Sequence, residues 1–254
     1  MTIDVAVPLL IAALAGFGAA AVNAVAGGGT LISFPTLMWL GLPSKVANAT
    51  NAVALWPGSA SGALGFHKYF AETKDQLKAL LPPTIIGAVL GSYLLVVTST
   101  KVFDAVVPFL ILGATLLLAF QGKIKAAADH AEFKLKPWQV AILQFLVSLY
   151  GGYFGAGMGI MMLAVMSLYE GMDLHRLNAV KNWLAVVINM GASVILLSKG
   201  LVDLKFALAV MVGALFGGYV SAHFAQKVKS EKLRPWVVIY GLVMVAYMFW
   251  RLLK

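Results

Sequence analysis

Of 254 residues, 61% are hydrophobic and only 11% charged, and the mean hydropathy is +0.90, a make-up that a water-soluble globule of ordinary composition cannot have. With no cysteine and four scattered histidines (His67, His130, His175 and His223), the chain offers neither a disulfide scaffold nor a thiolate- or histidine-held metal, and no cofactor is expected. The formal charge of +9 sits in short links between apolar runs, where Lys and Arg act as topology signals, so no nucleic-acid partner is expected either.

The opening Met1-Thr2-Ile3-Asp4 has no basic stretch ahead of its apolar run, and it reads as the start of a membrane segment rather than a cleaved leader. Eight apolar stretches follow in order. The first, Pro8 to Leu40, is interrupted; Val46 to Phe66, Leu80 to Val97 and Val102 to Phe120 come next. After a polar link, Trp138 to Leu168 is again interrupted, and Leu177 to Leu197, Leu204 to Ala222 and Trp236 to Leu253 complete the series. Most run about 18 to 20 residues, the length at which a helix crosses the hydrocarbon core.

The expected fold is all-α and polytopic, built from two four-segment membrane repeats, residues 1–121 and 138–254. Each repeat opens with a broken helix or helical hairpin. The connecting loop, 122–137, carries Lys123, Lys125, Asp129, His130, Glu132, Lys134 and Lys136. Gly87-Ala88-Val89-Leu90-Gly91-Ser92-Tyr93 matches Gly213-Ala214-Leu215-Phe216-Gly217-Gly218-Tyr219, and both contain the small-xxx-small spacing that lets helices approach closely in lipid. These glycines read as packing residues.

The interruptions carry the functional signal. One falls at Gly27-Gly28-Gly29-Thr30 and leads on to Thr50-Asn51; the other falls at Gly155-Ala156-Gly157-Met158-Gly159 and leads on to Lys181-Asn182. Paired breaks in matching halves point to a transporter's binding site. A helix end at membrane depth leaves amide groups that lipid cannot satisfy, so such breaks persist only inside protein or beside a polar cavity. Glycine permits the turn and bares its amide. Two restarting helices that present their positive ends to one place make a site for an anion. The candidate substrate-binding residues are Asn23, Gly28, Gly29, Thr30, Thr50 and Asn51 in the first repeat and Gly157, Gly159, Lys181 and Asn182 in the second. Gly28→Leu is expected to block the turn and abolish binding while the other segments still insert.

Polar side chains inside the apolar stretches should face the protein interior. They are Asn23, Thr30, Ser33, Asn48, Thr50, Asn51, Ser59 and Ser61, then Gln144, Asn178, Lys181, Asn182 and Asn189. An Asn amide can donate to a sulfonate or carboxylate, and it can equally bridge two helices. Lys181 admits two readings, neutralising a bound anion or snorkelling to the headgroups. Glu170, Asp173, His175 and Arg176 read as a solvated connection.

Orientation depends on whether each broken stretch crosses the membrane or doubles back. Doubling back leaves only Lys45, Lys101, Lys199, Lys205, Arg251 and Lys254 on one face and gathers all other Lys and Arg on the inner face, the sharper split. Each repeat then crosses an odd number of times, so the two are inverted, both termini lie outside, and alternating access becomes available. All ten acids, Asp4 through Glu231, lie in links or at segment ends, so no carboxylate marks an internal proton or sodium relay. Export needs none, since an anion leaving an inside-negative cell gains about 2.3 kcal/mol per charge per 100 mV.

The run Asn23-Ala24-Val25-Ala26-Gly27-Gly28-Gly29-Thr30-Leu31-Ile32-Ser33-Phe34-Pro35-Thr36-Leu37, with Gly41-Leu42-Pro43, Ala49-Thr50-Asn51 and the glycines at 155–159, resembles the sulfite exporter TauE/SafE family of membrane permeases over nearly the whole chain. The resemblance implies a multi-pass transporter of the bacterial inner membrane whose partners are lipid and a small sulfur-containing anion such as sulfite, a sulfonate or sulfoacetate. Thr50 stands where the second repeat has Lys181, so the repeats' contacts need not match. A passive anion channel fits the broken helices as well. An intramembrane enzyme does not, because no nucleophile–base pair or paired acids lie within the apolar stretches. Monomer and homodimer are both open.

Overall fold

The computed structural model describes residues 3–25, 27–129, 135–168, 174–224 and 230–252, and among these no strand occurs. Among the described residues ten helices follow one another: α1 Ile3–Val25, α2 Thr30–Trp39, α3 Ser44–Gly65, α4 Phe70–Val97, α5 Thr100–Asp129, α6 Pro137–Tyr153, α7 Met158–Ser167, α8 Leu174–Ser198, α9 Leu204–Phe224 and α10 Ser230–Leu252. A 3-10 turn, His67–Tyr69, joins α3 to α4. Five stretches, in α1, α4, α5, α8 and α9, are long and apolar enough to span a membrane. Helix α3 has the length but not the hydropathy, because Asn48, Thr50, Asn51, Ser59 and Ser61 lie along it. Most of its residues are buried in protein, so lipid does not set their polarity.

Two helices outrun their apolar stretches. Helix α4 begins at Phe70, ahead of the expected Leu80, because Thr73, Leu77, Leu80 and Thr84 form one buried stripe through its charged first turns. Helix α5 continues past Phe120 to Asp129 and takes up the first half of the expected 122–137 connection. His130, Glu132, Lys134, Glu170, Asp173, Lys227, Lys229 and Lys254 lie outside the described residues, as do the side chains of Asp4, Lys125, Asp129, His223, Glu231, Lys232 and Arg251.

The broken stretches are hairpins. Leu135, just before α6, donates its amide to the carbonyl of Leu168, just after α7, at 2.9 Å, so α7 retraces α6. Helix α2 likewise runs back along α1, with Gly29 against the Ala19 backbone and Ile32 beside Gly18. The pairing of distant ends agrees. Arg176 meets Glu72 at 2.6 Å, and the His175 ring stacks on Tyr69 at 5.4 Å. At the opposite end the Asp203 amide donates to Thr50 Oγ1 at 2.9 Å. Had the second broken stretch crossed the membrane, Arg176 and Glu72 would stand on opposite faces.

The hairpins pack on each other's half of the chain. Helix α1 lies chiefly along α9 and α6 along α4, while α3 and α8 meet centrally, flanked by α9 and α4. Glycine makes those crossings close. A Cβ on Gly91 would overlap the Leu149 carbonyl of α6, and one on Gly217 would overlap the Phe17 carbonyl of α1. Gly91→Leu and Gly217→Leu are therefore each expected to lower the thermal unfolding temperature of the purified protein by several degrees. Gly113→Ala, which meets nothing within 4 Å, should leave it in place. Overpacking at such contacts costs about 1–3 kcal/mol or more.

Candidate functional site

The two glycine turns touch. A Cβ on Gly27, which has φ of 82°, would stand 2.8 Å from the Cα of Gly159, and one on Gly159 would stand 2.8 Å from the Cα of Gly27. Both hairpin tips therefore reach the same depth. In the first, Asn23 Oδ1 accepts the Gly29 amide at 2.7 Å and so satisfies a donor at the start of α2. The second turns through Gly155 and Gly157, both at positive φ, and Tyr150 Oη donates to the Ala156 carbonyl at 2.7 Å. Tyr150 went unread in the sequence, since a tyrosine in an apolar run looks like any other packing residue.

Helices α3 and α8 close a cavity over this contact. Its walls include Asn23, Thr30, Asn51, Gly159, Lys181 and Asn182, six of the ten candidates, from five different helices. The other four point elsewhere. A Cβ on Gly28 would meet the Leu118 side chain of α5 at 3.2 Å, Gly29 packs on Ala19, and a Cβ on Gly157 would stand 3.4 Å from Ala114. Thr50 holds the Asp203 amide at the start of α9, because neighbours on a helix diverge by about 100° and Asn51 takes the inward direction. Phe154 was not a candidate, yet it lines the cavity from the turn that follows α6.

Two cavity side chains keep unpartnered polar atoms. Asn51 is 2% and Asn182 3% exposed, and neither Asn51 Oδ1 nor Asn182 Nδ2 has a hydrogen-bond partner. A buried group left so costs about 1–3 kcal/mol. Lys181, 1% exposed, donates to the carbonyls of Asn23 at 3.2 Å and Ala24 at 3.3 Å and to Asn178 Oδ1 at 3.0 Å. All three acceptors are neutral. The ammonium therefore adds positive potential to the cavity, beside the first turns of α2 and α7. Among the described residues no group of three or more His, Asp or Glu side chains gathers around a metal-sized point.

The family profile of the sulfite exporter TauE/SafE matches residues 12–248. The chain belongs to that family. It is similar to a probable membrane transporter protein of Haemophilus influenzae, 29% identical over 247 residues that cover 96% of each chain. It also resembles the probable membrane transporter protein ORF9 of a Sinorhizobium species, at 27% identity over 91% of this chain and 88% of the relative. The probable membrane transporter protein YfcA of Escherichia coli is 25% identical, over 93% of this chain and 86% of its own. No solved structure matches. As a TauE/SafE family member the chain is a multi-pass membrane transporter protein of the bacterial inner membrane.

Within this TauE/SafE chain, aromatic rings stand between the cavity and the end of the bundle that carries Ser44. The Phe154 ring meets Phe34 edge-on at 5.3 Å and Phe103 at 6.4 Å. Beyond them opens a vestibule of about 480 Å³, lined by Met38, one turn after Phe34, and by Asp104, the neighbour of Phe103. Asp104 accepts a short hydrogen bond from Ser44 there.

Proposed function

We propose that this TauE/SafE family protein exports a small sulfur-containing anion, such as sulfite, a sulfonate or sulfoacetate, by alternating access around the cavity where the two hairpins meet. One observation carries the reading: a buried lysine with only neutral partners shares a cavity with two asparagines that each keep one unpartnered polar atom. An oxyanion meets the free donor and the uncompensated charge. Its oxygens accept from Asn182 Nδ2 and, after rotation of the amide, from the Asn51 NH2, and its charge balances Lys181. The ten candidate residues divide accordingly. Asn51 and Asn182 touch the anion, Thr30 and Gly159 present first-turn backbone, and Asn23 and Lys181 shape the field. Gly28, Gly29, Gly157 and Thr50 build the turns and the helix ends.

In this reading each hairpin enters and leaves by one face, the first from the Ser44 end and the second from the Arg176 end, so that α3 to α5 and α8 to α10 each cross three times and the halves are inverted repeats about the cavity. The positive-inside rule places the end bearing Lys68, Lys74, Lys136 and Arg176 in the cytoplasm. The aromatic vestibule then faces outward. A carrier fits better than an open channel, because the cavity, about 30 Å³, ends at the Phe154 ring.

The test uses the intact protein reconstituted in vesicles. Flux of sulfite or a small sulfonate is expected to saturate, to support counterflow and to change several-fold when the imposed potential is reversed. Ohmic current without counterflow would assign a channel, and flux indifferent to potential would remove the coupling to membrane voltage.

A further inference from the structure

Each hairpin tip brings together the carbonyl end of one helix and the amide end of the next, and these opposite partial charges would cancel at the cavity. At both tips, something covers the carbonyls. Helix α1 ends near Val25, and Lys181 of α8 donates to the carbonyls of Asn23 and Ala24. Helix α6 ends at Tyr153, and Asn48 Nδ2 of α3 donates to the carbonyl of Tyr153 at 2.8 Å. Carbonyls this deep have no lipid partner. The two contacts are crosswise: the second half's central helix holds the first hairpin, and the first half's central helix holds the second.

The ammonium of Lys181 has three hydrogens, and three protein acceptors take them. Asn23 then passes the restraint on, since its side chain holds the Gly29 amide at the start of α2. On the other side Tyr153 precedes Phe154, which lines the cavity. We propose that Lys181 and Asn48 are positioning residues that tether each hairpin tip to the opposite half and mask its carbonyl end, so that Lys181 serves anion binding through Asn23 and Gly29 rather than as a direct ligand. This inference rests on the anion-site reading only for its consequence, weaker binding; the tether itself involves protein atoms alone.

Hydrogen–deuterium exchange of the intact protein in nanodiscs, with no anion added, tests the tether. Lys181→Met is expected to speed exchange about tenfold or more across residues 27–33 while residues 155–161 keep the parent rate. Asn48→Leu should give the reverse. Lys181→Gln, which retains a donor, should lie between parent and Lys181→Met, and it stands in if the methionine variant does not fold. Unchanged exchange at 27–33 in the Lys181 variants would overturn the proposal, and so would equal loosening of both hairpins in each variant. A parallel sulfite titration separates the two readings. If no protein binds sulfite but the crosswise pattern holds, the anion reading fails and the tether stands. If the parent binds and the Lys181 variants bind more weakly with unaltered exchange, Lys181 is a direct ligand and the tether fails.

Discussion

Asn182→Leu is expected to weaken oxyanion binding about ten- to a hundredfold, and Asn51→Leu to do nearly as much, while both variants unfold at or above the parent temperature. A hydrogen bond to a charged acceptor contributes about 1.5–3 kcal/mol, and each 1.4 kcal/mol is tenfold in Kd. The stability side has the opposite sign. Asn182 Nδ2 and Asn51 Oδ1 are buried without protein partners, so an apolar residue of similar size removes a penalty. A thermal-shift titration with sulfite, sulfate, short sulfonates and carboxylates measures both. The parent should be stabilised by its substrate class and the double variant Asn51→Leu/Asn182→Leu by none. Variants that respond to sulfite like the parent would place the site elsewhere. Thr50→Val is the built-in contrast, since Thr50 holds the Asp203 amide and not the cavity; it should lower stability and leave the anion response intact.

The second large effect falls on Gly27, where the sequence had pointed to Gly28. Gly27→Leu combines a backbone at φ of 82° with a Cβ 2.8 Å from the facing Gly159. The left-handed backbone costs about 1–2 kcal/mol for a residue with a side chain, and forcing apart two touching turns adds about 1–3 kcal/mol or more. The variant is expected to lose anion binding and transport together. Gly28→Ala meets only the mobile end of Leu118 at 3.2 Å, so it should retain most of both. Membrane insertion, read by protease protection of the end bearing Lys68 and Arg176, should be normal for both, which separates a lost site from a lost fold. Full transport by Gly27→Leu would mean that the hairpin tips need not touch.

Much of this architecture was legible beforehand because lipid narrows the choices. With no water to satisfy a backbone, long apolar runs must be helices, and a glycine cluster inside one must be a protected break. The hairpin reading followed from the distribution of Lys and Arg, and the Arg176–Glu72 pair agrees with it. Hydropathy failed where apolarity stops before the helix does, as in the charged first turns of α4 and the last turns of α5. It also failed for α3, whose neighbours are protein. Within the site, polar residue types in apolar runs named Asn23, Asn51, Lys181 and Asn182, while Thr50 and Asn51 were indistinguishable as adjacent polar residues.

Composition and the spacing of breaks were sufficient for the helical, membrane-embedded class, for the two interrupted stretches and for the polar residue types that line the cavity, because each depends on local chemistry set against a uniform apolar solvent. Contacts between distant parts of the chain were not readable in the same way. Only the folded chain sets Gly27 against Gly159, turns Asn51 inward and Thr50 outward, and places Lys181 on the carbonyls at the end of α1. Those outcomes depend on which helix faces meet once α1 lies on α9 and α6 on α4. A hydropathy pattern records how deep a residue sits but not which partner it turns toward.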